Sequence, residues 1–323
     1  MKTHRTTIIG TNAKATLVAF AALLCTAGIA TGFAQSVSTP APTLLWNFDS
    51  ITEGTTSDSS GNGNNGAVTG TVATATSGLS GSTGALTGFS SASSQVYYDS
   101  GVSNLLETSG KATVTLWFQN PGTSTRNLLT GFGAISNGGE RAVEIWLTDA
   151  DEGGNRTLNL SYQPWTNATA DSLTATSASL TLEADSWYQL AFVWERQAGN
   201  TYNYTVYLTS EKASGLGTAL LSGSVNPAPS TSRWFYVGGN PGGWYNTHFK
   251  AGFLGATASI DEVSLWIGTA LTTDQLNANF ALHAFTGTIP EPGAVAALCG
   301  FAGLIAASVI RHRRQKPAPQ HLA

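Results

Sequence analysis

The stretch SWYQLAFVWER, residues 186–196, places Tyr188, Leu190, Phe192 and Trp194 at alternate positions. A period of two belongs to a strand with one buried face, and a helix would repeat every 3.6 residues. Working outward, KATVTLWFQ (111–119) aligns Val114, Leu116 and Phe118, and RTLNLSY (156–162) aligns Leu158, Leu160 and Tyr162. RAVEIWLTD (141–149) alternates Val143, Ile145 and Leu147 with Ala142, Glu144 and Trp146; YNYTVYLTS and RWFYVGG continue the pattern. DEGGN, QAGN and GGNPGGW lie between these runs and supply turn residues. Many short strands at this spacing predict a β-sandwich or barrel. The span 67–94, almost wholly Gly, Ser, Thr and Ala, reads as weakly specified strands and loops. One short helix is predicted near the end. Thr272 stands at its N-cap and Gln275 three residues on, a capping box, with Leu276, Phe280 and Leu282 on one apolar face.

Both ends of the chain read as addresses. Lys2, Arg5 and Lys14 precede an apolar run from Ala15 to Ile29, and Gly32-Phe33-Ala34 offers small residues to a signal peptidase. Residues 1–34 are therefore expected to be a signal peptide and 35–43 a linker. Cys25 follows Leu24, which argues against a lipoprotein anchor. At the other end, Pro290-Glu291-Pro292 precedes an apolar run over 294–310 and a basic cluster over 311–314, Arg311, His312, Arg313 and Arg314. Seventeen helical residues span about 26 Å, slightly short of a ~30 Å hydrocarbon core, and the flanking arginines can snorkel. This tripartite tail, residues 287–323, resembles the PEP-CTERM sorting signal of Gram-negative bacteria. The resemblance implies export across the inner membrane, a membrane anchor before processing by an exosortase, and a place at the cell surface or in an exopolysaccharide matrix. The extension QKPAPQHLA after the basic cluster departs from that pattern.

Without these ends, residues 35–290 carry eight basic and eighteen acidic side chains. Such a domain repels phosphate backbones, which excludes nucleic acid as a partner. Both cysteines, Cys25 and Cys299, lie in the targeting segments, so no disulfide can brace the domain.

Four fragments carry a second resemblance: LLWNFDS (44–50), DSSGNGNNG (58–66), DSWYQLAFVWER (185–196) and ASIDEVSLWIGTALTTDQL (258–276). Their order is similar to the laminin-G-like branch of the concanavalin A-like lectin/glucanase superfamily, over residues 44–286. VYLTS stands where that family has a Tyr-x-(Asp/Asn)-Gly turn. The resemblance implies an all-β jelly-roll sandwich of two antiparallel sheets, with first and last strands side by side. It also implies a structural Ca²⁺ near Asp58 and Asp261, with Asp49 and Asn62 as further ligands. These are hard oxygen donors of the kind calcium takes. Simple alternation puts Asp261 on the face of Val263, Leu265 and Ile267, where an ionised carboxylate needs a partner. The other reading of these residues is hydrogen bonding alone, with Asp58 closing an Asx turn and Asp261 accepting backbone N–H groups.

Laminarinase-like members of the superfamily carry Glu-x-Asp-x-Glu. Glu140 and Glu144 match its two glutamates, but Ala142 replaces the Asp. Outward-facing strand charges are the simpler reading, and no catalytic activity is expected. His248 and His283 read as solvated loop or helix residues. Trp244 and Tyr245, with Tyr162 and Trp165, sit in Gly/Pro/Asn-rich surroundings. They serve either as a stacking platform for sugars or as closures of the core ends. The expected function is non-catalytic binding of polysaccharide or a surface protein. A divergent glycoside hydrolase and a purely structural matrix protein are the alternatives.

Overall fold

The computed structural model describes residues 37–102, 105–119, 121–122, 126–133, 141–162, 173–199, 201–226, 233–240 and 252–284. A compact unit begins at Ala41. It is all-β, with two antiparallel sheets and a short ribbon. The eight-stranded sheet runs β15 (Leu221–Val225), β14 (Tyr202–Ser210), β13 (Tyr188–Arg196), β8 (Lys111–Gln119), β19 (Ser259–Ile267), β6 (Gly84–Thr87) and β5 (Ala73–Thr76), with β1 (Leu44–Trp46) also paired to β19. The nine-stranded sheet runs β12 (Leu173–Thr181), β11 (Asn155–Tyr162), β10 (Arg141–Leu147), β9 (Asn127–Gly133), β16 (Trp234–Val237), β7 (Gln95–Asp99), β4 (Gly66–Thr69), β3 (Thr55–Thr56) and β2 (Ile51–Thr52). The ribbon pairs β17 (Gly239–Asn240) with β18 (Gly252–Phe253). The first and last strands are neighbours, as expected, with Leu44 opposite Leu265 and Trp46 opposite Val263.

Alternation explains the core. Leu116, Phe118, Leu190 and Phe192 from one sheet meet Ile145, Leu160 and Phe235 from the other in one apolar cluster. Trp46 and Phe235 bring ring centroids from the two sheets within 5.7 Å. In β8 the intervening residues are buried too, because the opposite face of that strand carries a second cluster. Trp117, Trp187 and Trp266 lie there with Leu276 and Phe280 of α2 (Thr273–Phe280). Trp117 stacks on Phe280 at 5.4 Å. β8 is therefore buried on both sides, as a central covered strand is, with Thr113 and Thr115 covered beside Trp117 on the second face.

Helix α2 carries the predicted capping box. The Thr272 hydroxyl accepts from the Gln275 N–H, and the Gln275 side chain accepts from the Thr272 N–H. The helix ends at Phe280 with Ala281 as C-cap, so Leu282 falls beyond it and is 68% exposed. That corrects its placement on the apolar face. A second, five-residue helix, α1 (Leu105–Ser109), was not expected; Leu105 and Leu106 bury themselves in the main core. Among the described residues no helix is long and apolar enough to cross a membrane. Residues 1–36 and 285–323, with the signal peptide and the sorting residues Pro290, Glu291, Pro292, Arg311, Arg313 and Arg314, lie outside the described residues.

Candidate functional site

In β10 the apolar residues Val143, Ile145 and Leu147 enter the core, so Glu144 and Trp146 point to the other face of the nine-stranded sheet. Register then builds a row across that face. Ser161 and Gly131 flank Glu144, Tyr236 lies opposite Gly131, and Tyr97 lies opposite Tyr236. Gly131 is what lets the row close. A β-carbon there would sit 2.6 Å from the Tyr236 hydroxyl, so only glycine lets that ring cross β9. The Tyr236 hydroxyl reaches Glu144 and donates to Oε1 at 2.7 Å. Arg126, just before β9, pairs through Nη2 with Glu144 Oε2. Its guanidinium lies over the Trp146 ring at 4.5 Å, and Trp146 Nε1 donates to Ser161 Oγ at 2.9 Å. Farther along, Trp234 stacks on Tyr97 at 4.5 Å.

Glu144 is fully buried, which corrects the expectation of an outward strand charge. Its burial is supportable because a cation and a phenol hydroxyl both face it. With Oε1 and Oε2 both engaged, this carboxylate is a fixed acceptor holding Arg126 and Tyr236 in place. The surface it organises combines half-buried rings, Tyr97, Trp146 and Trp234, with polar side chains of known position. Rings beside fixed donors and acceptors are the materials of a ligand-binding face. Glu140 and His248 lie outside the described residues.

The oxygen ligands expected for calcium divide into separate sets. Asp58 Oδ1 accepts from the Leu45 and Ser60 N–H groups at 2.9 Å each. Its Oδ2 accepts from Ser60 Oγ at 2.8 Å and the Asn64 N–H at 2.9 Å. Burial raises the Asp58 pKa, but these bonds outweigh it and hold the carboxyl below its usual range. Asn62 spends its amide on the Pro42 and Thr43 carbonyls. Asp49 accepts from Thr83 Oγ1 and from Asn47 Nδ2. At Asp58 the Asx-turn reading is therefore the one the geometry carries, since a metal would have to displace existing donors.

Asp261 departs from simple alternation. The β19–β8 register shifts between Asp261 and Ser264, and Glu262 takes a left-handed φ of 48°. This bulge turns Asp261 away from Val263 and Leu265, to stand opposite Trp117 on the face of the second cluster. Asp261 accepts from Ser77 Oγ at 2.6 Å and from the Glu262 N–H at 2.8 Å. Burial, only partly offset by these bonds, pushes its pKa up to about 7. Glu262 is also raised to about 7, by burial first and then by the charge of Asp49. His283 joins this group, contrary to a solvated role. Its Nε2 lies 3.6 Å from Glu262 and its Nδ1 lies 3.0 Å from the Ser80 carbonyl oxygen. Among the described residues no three His, Cys, Asp or Glu side chains come together in a metal-holding group.

Of the expected platform aromatics, Tyr162 pairs with Val143 and packs against the main core. Trp165, Trp244 and Tyr245 lie outside the described residues. Sequence reasoning missed Arg126, Trp146 and Tyr236. The available signal was Gly131, an interior glycine of the strand NLLTGFG, which marks close approach by a neighbour.

No family model matches this chain, and no curated protein matches it. Solved structures of similar form include the binding domain of Paraclostridial Mosquitocidal Protein 1, at 12% identity, TM-score 0.47, over 74% of this chain and 52% of that one. An endo-beta-1,4-glucuronan lyase from the fungus Trichoderma reesei matches at 14% identity, TM-score 0.44, over 74% of this chain and 99% of that one. Trypanosoma rangeli sialidase matches at 12% identity, TM-score 0.45, over 76% of this chain and 33% of that one. The chain thus spans about half the toxin binding domain and a third of the sialidase. Likeness of this degree carries no argument about activity.

Proposed function

We propose that residues 44–286 form a laminin-G-like jelly-roll sandwich that binds polysaccharide on the outer face of its nine-stranded sheet and does not cleave it. The observation that carries this reading is the row Ser161, Glu144, Tyr236 and Tyr97, with Trp146 and Trp234 beside it. Pyranose rings offer an apolar face, and the half-buried Tyr97, Trp146 and Trp234 rings offer stacking surfaces beside the buried row of Glu144, Ser161 and Tyr236. The absence of cleavage is argued from Glu144, whose two oxygens are both engaged, and from Ala142 in place of an acid. In the same proposal the chain is exported, processed by signal peptidase and an exosortase at its two ends, and placed at the cell surface or in its matrix. The test is retention of the purified protein on the producing cell's exopolysaccharide, compared with Trp146→Ala and Tyr97→Ala. At least tenfold weaker binding by both variants, with unchanged circular dichroism, supports the reading. Equal binding by all three, or no retention of the parent protein, overturns it. Release of reducing ends by the parent, lost in Glu144→Gln, would favour a divergent glycoside hydrolase.

A further inference from the structure

Loops at one end of the sheets enclose a groove of about 780 Å³, lined by residues other than those of the row described above and within the volume range of small-ligand sites. Gly122, Arg156, Glu183, Tyr188, Phe253 and Gly255 are among the residues that line it. One wall is bare backbone. Gly255 has a φ of +121°, and a β-carbon on it would lie 2.5 Å from the Gly122 Cα, so both positions need glycine. The half-buried Phe253 ring adds an apolar surface.

The unusual member is Arg156. It is half-buried, and its guanidinium is held by backbone carbonyls. Nη1 donates to Gly122 O at 3.2 Å and to Thr148 O at 2.9 Å, and Nη2 donates to Pro121 O at 3.0 Å. Among the described residues no carboxylate forms an ion pair with it. Glu183, on the same groove, is already paired with Lys212 at 2.8 Å. A guanidinium has five N–H donors in one plane. Three are committed to carbonyls, which leaves the Nε–H and one Nη2–H. The carbonyl bonds also fix the plane, so the remaining pair is oriented before any ligand arrives. Two donors in a planar fork match the two oxygens of a carboxylate. Its hydrogen bonds all go to carbonyls, and although the Asp149 charge acts on it without pairing, this partly desolvated cation still has two N–H groups to offer such a partner.

We propose that this groove binds a carboxylated sugar unit, its carboxylate on the two uncommitted N–H groups of Arg156 and its ring against Phe253. The ligand class rests on the polysaccharide reading above, while the site is a different one. The excess of acidic residues in the domain narrows the ligand further. A long run of carboxylates would meet a repelling field, whereas one charged unit in an otherwise neutral glycan meets mainly the local cation. Screening over about 8 Å at physiological salt makes that local term the larger one.

The experiment is calorimetric titration of the full chain with an oligosaccharide carrying one glucuronic acid per repeat, and with the same oligosaccharide after reduction of the carboxyl to an alcohol. The acidic form should bind at least tenfold more tightly. Arg156→Lys, which keeps the charge and loses the fork, should remove most of that preference, and Arg156→Gln all of it. Because Arg156 also braces three carbonyls, Phe253→Ala serves as a second variant that leaves those bonds intact. It should weaken the acidic ligand at least fivefold. Equal affinity for the two oligosaccharides, or a preference that survives Arg156→Gln, overturns the proposal. So does displacement of the acidic sugar by a free-carboxylate peptide and not by its amide, which would make the groove a peptide site. Trp146→Ala separates the two readings. It should lower binding of the reduced glycan and leave the acid preference in place. Acid preference without any Trp146 dependence would keep the groove and remove the outer face.

Discussion

Glu144 and Asp261 are carboxyl groups without exposed surface, one in each sheet, and the chain accommodates them in opposite ways. Glu144 sits in a strand of regular alternation, faced by a guanidinium and a phenol hydroxyl from two other segments. Asp261 has Ser77 and its own neighbour's N–H as partners, with a second, half-buried carboxyl, Glu262, beside it. Where a cation was supplied, β10 kept its in–out alternation, although its register against β9 shifts between Ile145 and Trp146, and the charge became a structural tie. Where none was, the backbone broke register to bring an N–H to the carboxylate, and the group was left titrating near neutrality. Buried charge therefore marks two different things here, a fixed scaffold and a proton-sensitive joint.

The sharpest break of this comparison removes the cation. Arg126→Met leaves Glu144 buried against fewer donors, and the expected loss is about 3–5 kcal/mol in urea unfolding. The double variant Arg126→Met, Glu144→Leu should recover much of it, since no charge then remains to be compensated. A double variant as unstable as the single one would show that packing over Trp146, and not the ion pair, holds the face together.

The next effect lies in pH. Asp261 is raised from its ordinary 3.8, and Glu262 from 4.5, each to about 7. Between about pH 4 and 7 the folded state therefore binds more protons than the unfolded chain. Stability from this pair is full at the acid end of that window and is lost as pH rises through it. Asp58 and Asp99, whose pKa values are lowered against the opposing effect of burial by hydrogen bonds, aided at Asp99 by the Arg233 charge, act the other way and lose their contribution on further acidification. Thermal melts should thus peak near pH 4–5, and Asp261→Asn should flatten the fall toward pH 8, with a gain on the order of 2–4 kcal/mol there. A profile that rises steadily to pH 8 would remove the distinction between the two sites.

The smallest effect concerns metal. Since Asp58 and Asp261 belong to separate hydrogen-bond sets, adding a chelator should leave the melting temperature unchanged. A drop of several degrees that Asp261→Ala abolishes would instead support a bound calcium at Asp261.

The regular parts of the fold were legible because they depend on local pattern. Period two in residues 111–119 and 188–196 placed the strands, and the Thr272–Gln275 box placed α2. The adjacency of the first and last strands was expected from the resemblance, and the register of Leu44 on Leu265 was not. The candidate site was mostly hidden. Glu144 meets a tyrosine 92 positions away and an arginine 18 positions away. Nothing in RAVEIWLTD announces either. The bulge was hidden for another reason. Glu262 adopts a left-handed φ that glycine would have advertised, and a glutamate at that position reads as ordinary strand. Leu282 misled because it is an apolar residue two positions past Phe280, where the helix has already ended.

The placement of β19 has a consequence in time. It lies inside the eight-stranded sheet, with β8 along one edge and β6 and β1 sharing the other. A chain made from its N-terminus thus produces the centre of this sheet among its last strands. Until Ser259–Ile267 exists, β8 offers an open edge and the row Val114, Leu116 and Phe118 lacks its lateral neighbour. Such long-range closure makes for slow, late folding. The molecule remains unlatched until residues near its end arrive, and a chain cut short before them loses the middle of the sheet and not merely a margin.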